Sequence, residues 1–173
     1  HLAGLRDTQM IANIAVDPHD ANRVFVAALG HPYGPNPERG IFRSTDGGAS
    51  FQKVLYKDEY TSANDVAIDP QNPQIVYAAL WQQQEGFAED LSFGAPTGGI
   101  FKSTDGGSTW QQLSGGLPAI VEANLGLAPS NPNVIYATVA AGGAPGQRRG
   151  PGVELYKSTD AGATWAVAGH DPR

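Results

Sequence analysis

Three times the chain spaces a serine, an aspartate and glycines in the same way. The stretches are Ser44-Thr45-Asp46-Gly47-Gly48-Ala49-Ser50-Phe51, Ser103-Thr104-Asp105-Gly106-Gly107-Ser108-Thr109-Trp110 and Ser158-Thr159-Asp160-Ala161-Gly162-Ala163-Thr164-Trp165. A lone carboxylate in a Gly-rich loop flanked by hydroxyls has four readings: a phosphate cradle, a cation loop, a catalytic acid or a tight turn. A phosphate loop wants a Lys after its glycines and a helix beyond, and neither follows here. A Ca²⁺ loop needs several oxygen ligands at fixed offsets, and each copy brings one carboxylate. The turn reading uses every part and explains the recurrence. Asp46, Asp105 and Asp160, with Ser44, Ser103 and Ser158, accept backbone N–H groups one or two residues on. Gly47, Gly106 and Gly162 supply the positive φ of a hairpin, and Gly48 and Gly107 complete the glycine pairs. Phe51, Trp110 and Trp165 pack beneath the turns, each burial contributing roughly 2–3 kcal/mol.

The other residues capable of chemistry lie in long stretches that do not repeat. His31, Tyr33, Glu38 and Arg39 share the Pro-rich segment Leu29–Arg39, whose plainer reading is a rigid loop with a local ion pair. Trp81, Phe87 and Phe93 could stack on a sugar or a partner, or bury the base of the segment Trp81–Gly98. Asp58, Glu59, Asp65, Glu85, Glu89 and Asp90 offer carboxylates, and glycoside hydrolysis needs two across one bond. Arg148-Arg149 sits in a Gly-rich tip. There is no Gly-x-Ser-x-Gly elbow and no His-Glu-x-x-His, and the four histidines are scattered. No catalytic residue, metal or cofactor is therefore assigned.

The elements that position these residues follow from a second repeat. Ile14-Ala15-Val16-Asp17-Pro18 leads to Arg23-Val24-Phe25-Val26-Ala27. It returns as Val66-Ala67-Ile68-Asp69-Pro70 with Gln74-Ile75-Val76-Tyr77-Ala78, and as Leu125-Gly126-Leu127-Ala128-Pro129 with Asn133-Val134-Ile135-Tyr136-Ala137. Asp46 to Asp105 is 59 residues and Asp105 to Asp160 is 55. Each unit reads as four short strands, the second rich in β-branched and aromatic residues, with no sustained helical stripe. Four antiparallel strands at this period predict an all-β fold, a β-propeller segment of three blades over about 10–56, 64–114 and 123–170. In such blades alternate turns lie on opposite sides. The short Asp-Pro turns and the Ser-x-Asp turns share one side, and the long stretches share the other, where function is expected.

The Ser-x-Asp-x-Gly-x-Thr/Ser-aromatic pattern is similar to the Asp-box, or BNR repeat. It is found in sialidases, family-74 xyloglucanases, sortilin-type receptor domains and photosystem II assembly-factor propellers. The stretches Val26–Gly40 and Tyr77–Gln82 make the chain resemble large secreted bacterial proteins with WD40/YVTN/BNR-like or sortilin-like (VPS10-type) repeats. The resemblance covers nearly all 173 residues and implies a secreted or periplasmic bacterial location. The sialidase arginine motif is missing ahead of the first box, and Arg43 falls on a strand. The sortilin cysteine-rich module is excluded by the absence of Cys.

A net charge of -6 and no Lys/Arg run argue against a nucleic-acid partner. No apolar run reaches a membrane span, though association with a membrane complex is compatible with the family. The opening His1-Leu2-Ala3, with no Met or leader, is the start expected of a processed or excised piece. Three blades are too few to close a ring of about four to eight. The missing blades are expected from the same chain, a second copy or another subunit. The sequence thus favours a non-catalytic interaction scaffold that binds protein or glycan through its long-loop side. Its rival is a fragment of a secreted glycoside hydrolase, sialidase- or xyloglucanase-like.

Overall fold

The computed structural model describes residues 3–82, 97–142 and 152–169. They form twelve strands: β1 (Met10–Val16), β2 (Val24–Gly30), β3 (Gly40–Ser44), β4 (Gln52–Leu55), β5 (Thr61–Ile68), β6 (Val76–Gln82), β7 (Gly99–Ser103), β8 (Gln111–Leu113), β9 (Ile120–Leu127), β10 (Ile135–Ala141), β11 (Val153–Ser158) and β12 (Ala166–Gly169). Every four consecutive strands make one antiparallel sheet, giving three sheets in all. The chain is all-β, three blades of a partial β-propeller, as the repeat predicts. β5 already starts at Thr61 and β9 at Ile120, ahead of the blade starts near 64 and 123 that the repeat predicts.

The apolar runs of the second strands are explained by burial on both faces. In β6 every residue from Val76 to Leu80 is buried. Val76, Ala78 and Leu80 pack against Phe25, Ala27 and Ile41 of the first blade. Tyr77 and Ala79, one residue out of phase, pack with Ile100 against Ile135, Ala137 and Val139 of the third. The period of two along one strand thus feeds two separate cores. On the far side of the first blade, Leu5 covers Val26, Ala28 and Phe42, while Ile14 and Val16 stay exposed.

Backbone hydrogen bonds sort the turns by side. Gly47 N–H donates to Asn22 O (3.0 Å), Gly106 N–H to Gln74 O (2.9 Å) and Ala161 N–H to Asn133 O (3.0 Å). The Ser-x-Asp turn of each blade therefore sits on its own β1–β2-type turn. On the opposite side Asn36 N–H donates to Glu59 O at 2.9 Å, joining the long loop of the first blade to the link that leaves it. Neighbouring blades are tied too: Arg23 donates to Pro73 O (3.0 Å) and Gln71 to Pro129 O (3.0 Å). Among the described residues no helix is long and apolar enough to cross a membrane.

Candidate functional site

The three Ser-x-Asp turns are alike to within 0.1 Å in most of their bonds. The serine Oγ donates to the aspartate Oδ1 at 2.7, 2.8 and 2.8 Å, and accepts from Gly48, Gly107 and Gly162 N–H at 2.8 Å each. The same Oδ1 accepts the N–H of Ser50, Thr109 and Thr164, four residues on, at 2.8–2.9 Å. Oδ2 accepts their hydroxyls at 2.5–2.6 Å. The turn therefore closes over four residues, where sequence expects a reach of one or two. Both positions after the aspartate take positive φ, so Gly47 and Gly48, and Gly106 and Gly107, work as pairs. In the third copy the first place is held by Ala161 at φ 55°. The closing aromatic does more than pack. The Trp110 and Trp165 indole N–H groups donate to Gly107 O (3.2 Å) and Gly162 O (3.0 Å), a bond Phe51 cannot make.

These bonds consume the carboxylates' chemistry. The Ser50 hydroxyl, with Ser44, lowers Asp46 to about 2, and the Thr164 hydroxyl with its own N–H lowers Asp160 to about 2. Thr109 holds Asp105 further below the ordinary carboxylate value. Such groups stay ionised and saturated, which suits a turn and not a general acid. Because the folded pKa lies below the unfolded value near 3.8, this stabilisation is present above pH 4 and is lost as pH falls through about 2. Asp160→Asn is expected to melt below wild type at neutral pH. The two melting temperatures should converge as pH drops toward about 2, as followed by circular dichroism. A gap that persists unchanged into acid would exclude this origin.

The long-loop side is built on Arg39. It is fully buried, donating to Ser62 Oγ (2.5 Å), His31 O (2.9 Å) and Gly34 O (3.2 Å). Desolvation pulls its pKa down and the Asp58 charge opposes that. Beside it Asn36, also fully buried, donates to Asp7 Oδ2 (3.1 Å) and accepts Glu38 N–H (2.9 Å). Gly30 at φ 82° makes room: a Cβ there would lie 2.8 Å from Arg39 Cγ and 2.9 Å from Asn36 Oδ1. Glu38 receives the N–H groups of Arg6, Asp7 and Thr8 at 2.6–3.2 Å, pinning the segment before β1. Glu38 and Arg39, neighbours in sequence, thus brace two different parts of the chain. His31 Nε2 lies 3.9 Å from Asp7. Tyr33 is 61% exposed. Trp81, half-buried at the end of β6, pairs with Ser62 of β5. Phe87, Phe93, Glu85, Glu89, Asp90, Arg148 and Arg149 lie outside the described residues.

Sequence reasoning missed the polar seam along the innermost strands. Asp65, buried on β5, accepts from Asn13 Nδ2 of β1 (2.5 Å), from its own neighbour Val66 N–H (2.8 Å) and from Leu125 N–H of β9 (2.7 Å). One carboxylate therefore ties three blades. Asn64 adds a bond to Ala123 O at 2.6 Å. Position within a repeat was the only available signal, and neither neighbouring unit carries an Asp there. Exposed aromatic surface on the loop side comes from Tyr33, Tyr56 (39%) and Tyr60 (42%). An open groove of about 450 Å³ lies on the turn side instead, lined by Lys102, Thr104, Gln112, Ser114 and Ala161 among others. Among the described residues no three His, Asp or Glu side chains gather as a metal site would require.

No family model matches the chain. It is 26% identical over 193 aligned residues to the xyloglucanase Xgh74A of Acetivibrio thermocellus, covering 94% of this chain and 20% of that one. It is 34% identical over 108 residues to a xyloglucanase of Hypocrea jecorina, covering 58% of this chain and 11% of that one. In structure it is similar to an ancestral GH74 enzyme, with a TM-score of 0.68 at 24% identity over 95% of this chain and 19% of the other. The chain therefore spans about a fifth or less of these relatives' length, and its likeness is to propellers whose names are those of glycoside hydrolases.

Proposed function

We propose that the chain is a three-blade portion of a propeller of the xyloglucanase type, and that its long-loop side holds a polysaccharide. The relatives named above favour this over the purely non-catalytic scaffold that sequence alone preferred. The observation that carries it is the set of exposed tyrosines on the loop side, Tyr33, Tyr56 and Tyr60, in two segments tied together by Asn36 N–H to Glu59 O and by buried Arg39 to Ser62 Oγ. Exposed aromatic rings on braced loops suit stacking on sugar rings. The part assigned to this portion is binding. Asp65, Glu38 and the three turn aspartates all accept two or more hydrogen bonds within the fold. The acid and base of hydrolysis belong, on this reading, to carboxylates outside that set. A secreted location goes with the same proposal.

Electrophoresis through gels containing xyloglucan tests it. Wild type is expected to be retarded, and Tyr33→Ala with Tyr60→Ala to lose about tenfold in affinity, the loss of one or two stacking contacts. Equal mobility with and without the polysaccharide would overturn the reading.

A further inference from the structure

The two joints between blades are built alike, but the second leaves a groove. At the first, Arg43 of β3 reaches the next blade's Ser-x-Asp turn, its Nη1 donating to Gly106 O at 2.7 Å and to Ser108 Oγ at 3.1 Å. At the second, the shorter Lys102 stands opposite Tyr77 on β7 as Arg43 stands opposite Phe25 on β3. Its Nζ donates to Ala161 O at 2.9 Å, and Ala163, in the place of Ser108, has no hydroxyl to offer. The groove of about 450 Å³ lies here, lined by Lys102, Thr104, Gln111, Leu113, Ala161 and Ala163 among others. Both walls, the second blade's β7–β8 and the third blade's turn, meet inside the chain. This joint also keeps a left-handed alanine, Ala161 at φ 55°, where the other two turns carry Gly47 and Gly106. Alanine is the strained choice there, and strain kept in one copy of a repeat marks a place to look for function.

The lining has unspent hydrogen-bonding capacity. An ammonium has three protons to donate, and among the described residues the fold takes one from Lys102. Gln111 lies directly across the strands from it. Thr104, Gln111 and Ser114 are exposed, and their side chains make no hydrogen bond among the described residues. Beside these polar groups, Leu113, Ala161 and Ala163 give an aliphatic surface. Desolvation lowers the Lys102 pKa, while the charges of Asp69 and Asp160 oppose that. Two carboxylates near one ammonium leave no excess positive charge to attract an anion. A peptide adding to the sheet fits poorly too, since β8 beside the groove is only 3 residues long.

We infer that this groove is a second saccharide site, on the turn side, that takes a short stretch of a neutral oligosaccharide. Sugar hydroxyls, which both donate and accept, meet Lys102, Thr104, Gln111 and Ser114. The C–H face of a pyranose ring lies on Leu113 and the two alanines. The volume falls in the range of about 300–1,000 Å³ usual for small-ligand sites. The site stands without the loop-side reading and faces the other way.

Heteronuclear NMR spectra of the isotopically labelled chain, titrated with cellotetraose, test it. The Gln111 side-chain amide and the backbone amides of Gly115 and Ala163 are expected to shift. Gln111→Ala should weaken that binding about fivefold, the worth of one or two hydrogen bonds. Lys102→Arg with Ala163→Ser rebuilds the first joint's reach across the gap. It should keep the wild-type circular-dichroism spectrum and lose binding at least about tenfold. Tetragalacturonate, of the same length but acidic, should shift these amides far less. Tyr33→Ala with Tyr60→Ala should leave the turn-side shifts as they are, so the two saccharide readings can fail independently. Turn-side amides that do not move up to the solubility limit of cellotetraose, an affinity unchanged in both groove variants, or equal binding of tetragalacturonate overturns the inference.

Discussion

Arg39→Met is expected to destabilise the protein by about 3 kcal/mol, the typical cost of removing one member of a buried charged network. Met keeps most of the volume, so the loss comes from bonds. Ser62 Oγ, His31 O and Gly34 O would all lose a donor, and the fully buried Ser62 is the one least able to replace it. Relief of the guanidinium's desolvation offsets part of this, which is why the expected value stays below the sum of the bonds. Urea denaturation followed by tryptophan fluorescence measures it. A companion Tyr33→Ala, on the same loop but 61% exposed, should change stability by no more than about 0.5 kcal/mol. If Arg39→Met behaved like Tyr33→Ala, the loop would not be braced through that guanidinium.

The second large effect concerns the joint between blades. Gly107→Ala should cost about 3 kcal/mol, lowering the melting temperature by about 10 °C. Two terms add. A Cβ at φ 83° carries left-handed strain of about 1–2 kcal/mol. It would also lie 2.6 Å from Phe25 Cε1, a ring fixed in the core, and such overpacking costs about 1–3 kcal/mol. Gly48→Ala separates the terms. Its φ is 89°, but the nearest atoms to a Cβ are in the Phe51 ring at 3.9 Å. The difference between the two variants, read by calorimetry at low concentration, isolates the joint. Equal losses would mean that only the turn's own backbone is strained.

The repeated units show how far sequence carries. The Ser-x-Asp turns were legible because their bonds run between residues at most four apart, and local chemistry recurs wherever the local sequence recurs. The β-branched and aromatic runs marked the second strands for the same reason. Even there the reach of the aspartate and the left-handed Ala161 needed coordinates. The loop side was legible as a place, since long non-repeating stretches must gather opposite short repeating turns. Its contents were not. Glu38 and Arg39 are neighbours in sequence and invite a pair, but Glu38 closes on residues 6–8 and Arg39 on Ser62.

What the sequence determined alone is the all-β class, the period and the side on which function is sought, because each rests on residues close in the chain. The tertiary structure decided the rest. Tyr77 and Tyr136 occupy equivalent positions with equivalent partners, yet one is sealed and the other is not. Asp65 joins strands 52 and 60 residues away. Such differences arise only when blades stack, since burial belongs to what lies across the joint and not to the residue that faces it.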